Sequence, residues 1–258
     1  MHLLEYLKSK RYNVNYTHSI LSHLERFVNI INRPSDIFKI FSNLTHGQQH
    51  NLNRALRVLF NFYEIEGIPE GYLNALRKAI PQDNIGVDLR IPTEQEIIDS
   101  LRRLRMAPLK YQALFNLLLD SGLRIVEAER LIKEGLKNPI KVGAYYRCTL
   151  GYFRGCKLAY VAYFSEDTLA LIRNVEGSIE ERNASGYFSK FGFLPPKYLR
   201  KYAFDKMISL NIPESVADFI EGRVPKKIGA KHYMALIRQA DRFYGRYAKY
   251  LNRLRTLI

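Results

Sequence analysis

Apolar residues recur three and four positions apart through most of the chain, and that spacing predicts helices. Between Tyr16 and Ile31, the residues Ile20, Leu21, Leu24, Phe27, Val28 and Ile31 share one helical face. Ser35 opens a shorter helix through Ile37, Phe38 and Phe41. Thr45 is placed to cap a long helix carrying Leu52, Leu56, Leu59, Phe60 and Tyr63, with Gly67 as its stop. A further helix follows Pro69 with Tyr72, Leu73 and Leu76. The stretch from Pro81 to Pro92 loses the periodicity and holds two prolines, so it reads as a linker, with a domain boundary near residue 83.

Beyond the linker, Thr93-Glu94-Gln95-Glu96 fits a capping box ahead of Ile97, Leu101 and Leu104. A second helix spans about Leu109 to Leu119, and Gly122 suits the left-handed position that closes it. Arg124 follows directly, and Ile125 to Ile132 restarts a helix that carries Glu127. The period then shortens. Tyr145 to Leu150 and Leu158 to Phe164 are rich in aromatic and β-branched residues and predict two strands, with Gly151 to Lys157 as their hairpin turn. Ser165 caps a helix through Leu169 and Ile172, and the polar stretch from Asn174 to Gly186 reads as a loop. Pro195 and Pro196 introduce a helix from Lys197 to about Leu210, and Pro213 starts a short one ending at Gly222. Leu236, Ile237, Ala240, Phe243, Tyr244, Tyr247, Leu251 and Leu254 trace a long last helix. Its apolar stripe has no evident partner in the pattern, which makes it the expected docking element for a neighbouring protomer. The fold class expected is mainly α: a helical N-terminal domain (1–83), then a mostly helical domain (84–258) with a small antiparallel sheet.

Composition narrows the function. A net charge of +15 points to a polyanionic partner. Residues 1–83 carry 10 Lys and Arg against 7 Asp and Glu, a net of +3, while residues 84–258 carry 30 against 18, a net of +12. The excess recurs on several segments rather than on one amphipathic helix, which favours nucleic acid over a membrane surface. No apolar run reaches the length of a membrane span. Glu5 interrupts the apolar N-terminus, so no signal-peptide pattern forms, and a cytoplasmic, nucleoid-associated location is expected. Cys148 and Cys156 stand apart from any His or Cys cluster and read as reduced, small apolar residues of the hairpin rather than zinc ligands.

The basic residues concentrate from Ile220 to Tyr233, where Arg223, Lys226, Lys227 and Lys231 fall within nine positions and the run closes on a tyrosine. A cationic patch beside a phenol can hold a phosphodiester next to a nucleophile. Upstream, Arg124 follows a helix-stop glycine, Lys157 lies in the hairpin turn, and Arg200 stands three residues after Lys197. In order, the stretches are Ser121-Gly-Leu-Arg-Ile-Val-Glu127, Lys157, Lys197-Tyr-Leu-Arg200, Gly222-Arg223 and Tyr233. This order resembles the tyrosine recombinases, the phage integrases and their relatives, across residues 93–233. Lys197 stands where that family usually has His, and Arg223 where it has His or Trp. Both departures are similar to those of integrases from archaeal viruses and plasmids.

The resemblance implies a site-specific recombinase that cleaves and rejoins DNA through a 3′-phosphotyrosyl intermediate, integrating or excising a mobile element. Tyr233 would be the nucleophile, with Tyr244, Tyr247 and Tyr250 as competing tyrosines read as packing residues. Arg124 and Arg200, assisted by Arg223, would stabilise charge on the non-bridging oxygens with bidentate guanidinium geometry. Lys157 would protonate the leaving 5′ oxygen, Lys197 would help the phenol to attack, and Glu127 would orient Arg124. Arg154, Lys226, Lys227 and Lys231 are expected DNA contacts, beside scattered basic residues of the N-terminal domain. The resemblance further implies double-stranded DNA as partner and a homotetramer on DNA from a protein monomeric without it. No cofactor, metal, membrane or small-molecule substrate is implied. A type IB topoisomerase-like enzyme and a binding relative without chemistry are the alternatives.

Overall fold

The computed structural model describes residues 2–83, 86–154, 157–177, 181–223 and 235–258, apart from the side chains at 154, 157, 181 and 182. The described chain divides into two compact units, Met1–Asp88 and Leu89–Ile258.

The first unit is all helical: α1 (Leu3–Ser9), α2 (Val14–Phe27), α3 (Pro34–Ser42), α4 (His46–Ile65) and α5 (Glu70–Ala79). The α2 helix begins at Val14 rather than Tyr16 because Asn13 accepts the backbone N–H of Tyr16 and caps the first turn. Thr45 caps α4, and Gln48 returns a bond to the Thr45 N–H at 2.9 Å. The core forms where the predicted stripes meet, with Ile20, Leu24, Ile37, Phe41, Leu52, Leu56, Phe60, Leu73 and Leu76 all buried. Residues 81–83 are still tied to α4, since Asn53 donates to the Pro81 carbonyl at 2.8 Å and His50 meets Asp83 at 2.8 Å.

In the second unit, α6 (Glu94–Leu104), α7 (Leu109–Ser121) and α8 (Ile125–Glu134) precede a sheet of β1 (Ile140–Val142), β2 (Tyr145–Arg154) and β3 (Lys157–Phe164). Then come α9 (Glu166–Arg173), α10 (Glu181–Lys190), α11 (Pro196–Ser209), α12 (Glu214–Ile220) and α13 (Leu236–Arg255). The sheet is antiparallel in the order β1-β2-β3. Its first strand is too short and too exposed to show an alternating pattern in the sequence. The predicted turn is mostly ladder instead: β2 and β3 stay paired out to Arg154 opposite Lys157, with a register shift between Thr149 and Tyr152 around Gly151 at φ +63°. Cys148 is buried and free on β2, while Cys156 lies outside the described residues.

The expected loop from Asn174 to Gly186 is also corrected, because its end belongs to α10. Ser185 and Gly186 are weak helix formers, but tertiary packing overrides them. Tyr187 stacks on Tyr111 at 3.8 Å between ring centroids, and Phe188, fully buried, meets Phe115 edge-on at 5.8 Å.

The helix α7 is the central element, buried along nearly its whole length and packed against α8, α9, α11 and β3. Its last carbonyls would be left without intrahelical partners. Three of them are satisfied: Leu118 by the Gly122 N–H at 3.0 Å, Leu119 by the Tyr247 hydroxyl at 2.8 Å, and Asp120 by the Tyr244 hydroxyl at 2.9 Å. Tyr244, Tyr247, Leu251 and Leu254 of α13 are therefore core residues of their own chain. The expectation that this stripe waits for a neighbouring protomer is overturned, because its apolar face and its phenol hydroxyls are already taken up inside the second unit. Among the described residues, no helix is long and apolar enough to cross a membrane.

Candidate active site

Two tight closures shape the site. The first is Gly122 at φ +61°, which ends α7 and lets the chain turn straight into α8. The second is Gly222 at φ +71°, just after α12. A Cβ on Gly122 would come within 2.8 Å of Glu221 Cγ, and one on Gly222 within 2.9 Å of Ala159 Cβ and 3.1 Å of its Cα. The two turns thus bring the ends of α7 and α12 against each other and against β3. Gly222→Ala is expected to lower the stability of the chain by about 2 kcal/mol, because the backbone of β3 cannot yield. Urea unfolding checks this, and an unchanged midpoint would contradict the close approach.

Arg124 is the residue preceding α8, and its backbone N–H donates to Glu127 Oε2 at 3.0 Å. Its side chain turns back, so that Nη1 donates to Glu127 Oε1 at 2.8 Å and to the Gly222 carbonyl at 3.0 Å. Glu127 is nearly buried and lies against the guanidinium from one turn on. Arg200 rises from the first turns of α11 and bridges both closures: Nη1 donates to the Gly122 carbonyl at 2.6 Å and to the Glu221 carbonyl at 2.7 Å. Arg223 has its backbone N–H on the Asp218 carbonyl at 2.8 Å, and its guanidinium lies 4.8 Å above the Phe204 ring. Its Nη2 reaches Glu221 Oε2 at 2.9 Å and its Nη1 reaches Asp218 Oδ1 at 3.6 Å.

Three guanidiniums from three segments therefore meet around one pair of turns: Arg124 and Arg200 are held by backbone carbonyls that no rotamer change can move, and Arg223 by the Glu221 and Asp218 carboxylates and the Phe204 ring. Burial pushes the Arg200 guanidinium down to about 10, and Arg124 and Arg223 press the same way while Glu221 opposes them. It stays a cation at neutral pH. Such a cluster can accept the non-bridging oxygens of a phosphodiester.

Lys197 is exposed on the first turn of α11, one turn ahead of Arg200, with its ammonium 4.5 Å from the Tyr198 ring centroid. Lys157 and Arg154 face each other at the end of the β2–β3 ladder; the directions of their side chains lie outside the description. Lys226, Lys227, Lys231 and Tyr233 fall outside the described residues. The competing tyrosines are otherwise engaged. Tyr244 and Tyr247 are fully buried, with their phenols held well above the usual range by burial. Tyr250 donates to Glu94 at 2.5 Å and pairs with Tyr202.

Sequence reading passed over Glu221. Its side chain is wholly buried beneath Gly122, between Arg200 and Arg223. The signal was available: Glu221 follows the apolar pair Phe219-Ile220 at the end of the helical run Val216-Ala-Asp-Phe-Ile-Glu221, immediately before Gly222-Arg223. An acid at the buried end of a helix needs cations around it.

The sequence model of the archaeal phage integrases matches residues 89–250. The chain belongs to that family. Its members are tyrosine recombinases, and the mainly helical fold with a small antiparallel sheet agrees. The Tn1549 transposon integrase (residues 82–397), solved in complex with circular intermediate DNA, is 13% identical with a TM-score of 0.56, covering 94% of this chain and 99% of that one. The integrase of mycobacterium phage Brujita is 11% identical with a TM-score of 0.45, covering 94% of this chain and 90% of that one. XerA recombinase is 13% identical with a TM-score of 0.38, covering 92% and 94% of the two chains. No curated protein sequence matches the chain.

Proposed function

We propose that this integrase-family protein cleaves and rejoins double-stranded DNA at specific sites through a tyrosine-linked intermediate, inserting or excising a mobile element. The convergence of Arg124, Arg200 and Arg223 on the turns at Gly122 and Gly222 carries the reading. Fixed guanidiniums stabilise charge that grows on the non-bridging oxygens, at no cost in reorganisation. The nucleophile is Tyr233, ten residues beyond Arg223. Its phenol oxygen forms a bond to phosphorus as the bond to the 5′ oxygen breaks. The phenol proton passes to solvent, with the Lys197 cation favouring the phenolate, and Lys157 delivers a proton to the leaving oxygen and is reprotonated from solvent, so the step is proton-neutral. Lys226, Lys227 and Lys231 lie along the segment that brings Tyr233 to the strand and contact phosphates there, as does Arg154. Four protomers act on two sites.

The helical first unit adds phosphate contacts. Lys8, Lys10, Arg11, Arg54 and Lys78 are exposed on it, whereas Arg77 is taken up by Asn61, Asn74 and Glu64. Affinity for DNA then falls steeply with salt. The test is a set of nicked suicide duplexes carrying candidate sites, incubated with the protein and run on a denaturing gel. Wild type gives a covalent adduct, and Tyr233→Phe gives none. An adduct that persists in Tyr233→Phe removes the nucleophile assignment, and a wild type without adduct on any site leaves only DNA binding.

A further inference from the structure

Glu221 is the acid that the chemistry above does not use. Its side chain has no exposed surface. Its carboxylate sits 2.9 Å from Arg223 Nη2 and 3.5 Å from Arg200 Nη2, and its main-chain carbonyl holds Arg200 Nη1. These distances are those of ion pairs, but the angles are poor: both carboxylate oxygens and Arg200 Nη2 lack hydrogen bonds among the described residues. The carboxylate therefore holds the guanidiniums by charge, without the directional bonds that would lock it as an anion.

The charges around it are nearly balanced. Arg200 faces it from α11, Arg124 and Glu127 from the start of α8, Arg223 and Asp218 from its own segment, and the neutral Tyr247 phenol from α13. With all acids ionised, three guanidiniums meet three carboxylates and the site is formally neutral. A phosphodiester would then bring an uncompensated negative charge beside the buried Glu221 carboxylate, and the transition state would add another. Protonating one acid restores the balance. Glu127 is held by two directional bonds to Arg124, and Asp218, buried as well, pairs with Arg223 Nη1 at 3.6 Å. Glu221 has no hydrogen bond to either oxygen, among the described residues, to give up on protonation, and burial already pushes its carboxyl up to about 7 against the pull of Arg200 and Arg223.

We propose that Glu221 is a positioning residue: as an anion it seats Arg200 and Arg223 in the free protein, and it takes up one solvent proton when a phosphodiester docks on them. The inference rests on the reading of the site given above. One proton moves from buffer to a Glu221 oxygen, and no other bond changes. Above pH 7 a growing share of the free protein carries the anion, which must be protonated before phosphate seats. Cleavage under subsaturating protein therefore falls with rising pH by up to about tenfold per unit from this group alone. Glu221→Gln is neutral at every pH and lacks that term.

The experiment compares wild type and E221Q, both full chain, for the rate of adduct formation on a nicked suicide duplex from pH 6 to 9. The E221Q-to-wild-type ratio is expected to climb by about tenfold per pH unit above pH 7. A ratio independent of pH overturns the proposal. A second measurement does not need cleavage: calorimetry of duplex binding in buffers of different ionisation enthalpy. Wild type is expected to take up about three-quarters of a proton more than E221Q at pH 7.5; equal counts overturn the proposal. If wild type forms no adduct on any duplex, the functional reading fails and the proton count still decides the role of Glu221. Should the Gln variant not fold, Glu221→Met, equally neutral and similar in size, takes its place in both measurements.

Discussion

Replacing Arg200 by Lys lowers the rate of adduct formation on a nicked suicide duplex by about a hundred- to a thousandfold, the scale seen when one preorganised donor to a developing charge is lost. The charge is kept in this variant, so the loss isolates geometry. Arg200 Nη1 alone satisfies two carbonyls, those of Gly122 and Glu221, from opposite sides of the paired turns. That double anchor fixes the plane of the guanidinium and hence where Nη2 points. A lysine ammonium on a flexible stem can reach one carbonyl, but it cannot hold both and keep a second nitrogen in place. Binding of the duplex is expected to change much less, because one phosphate contact among many contributes a small share of the affinity. Equal losses in binding and cleavage would mean that Arg200 acts as an ordinary phosphate contact, and a rate within about threefold of wild type would remove it from the chemistry.

The second large effect is on stability. Asp120→Ala destabilises the second unit by about 3–5 kcal/mol, the range for breaking a buried ion pair from one side. Asp120 is fully buried at the end of α7. Its Oδ2 accepts the Ser165 N–H at 2.9 Å, the Ser165 hydroxyl at 2.9 Å and the Thr168 hydroxyl at 2.7 Å, which ties the start of α9 to α7. Its Oδ1 pairs with Arg255, whose side chain is itself buried near the end of α13. Truncation leaves a guanidinium without its anion and three donors without an acceptor. The loss is read as a lower midpoint in urea, with the slope unchanged. Adding Arg255→Met to Asp120→Ala removes the stranded charge and should recover part of the stability. A double variant no more stable than Asp120→Ala would show that the hydrogen bonds to α9, rather than the ion pair, carry the effect.

Much of this molecule was legible from neighbouring residues. Thr45 and Thr93 each cap a helix with an acceptor three residues on, and such boxes are visible without any tertiary information. Gly122 was readable as a helix stop, and the order Arg124, Arg200, Arg223 pointed to one family across most of the second unit. Glu127 was readable as the partner of Arg124 because three residues separate a cap from the first turn it closes. The misses share a cause. The α10 helix has weak local propensity and exists because Tyr187 and Phe188 find Tyr111 and Phe115. The last helix looked unpartnered because its partners are carbonyls at the end of α7, more than a hundred residues earlier. Arg255, in a run of basic residues on the last helix, carries no local sign that it sits on a buried carboxylate 135 residues earlier.

Periodicity, caps and stops are properties of adjacent residues, so the chain announces its helices, its class and the identity of its cationic residues in one dimension. Which groups those cations hold is a different kind of fact. Arg124 meets the Gly222 carbonyl across 98 residues and Arg200 meets the Gly122 carbonyl across 78. Such bonds exist only once two left-handed glycines have brought the helix ends to within a side chain's width. The buried Glu221 beneath them emerged there too, because a carboxylate's burial and its cations are set by packing rather than by spacing.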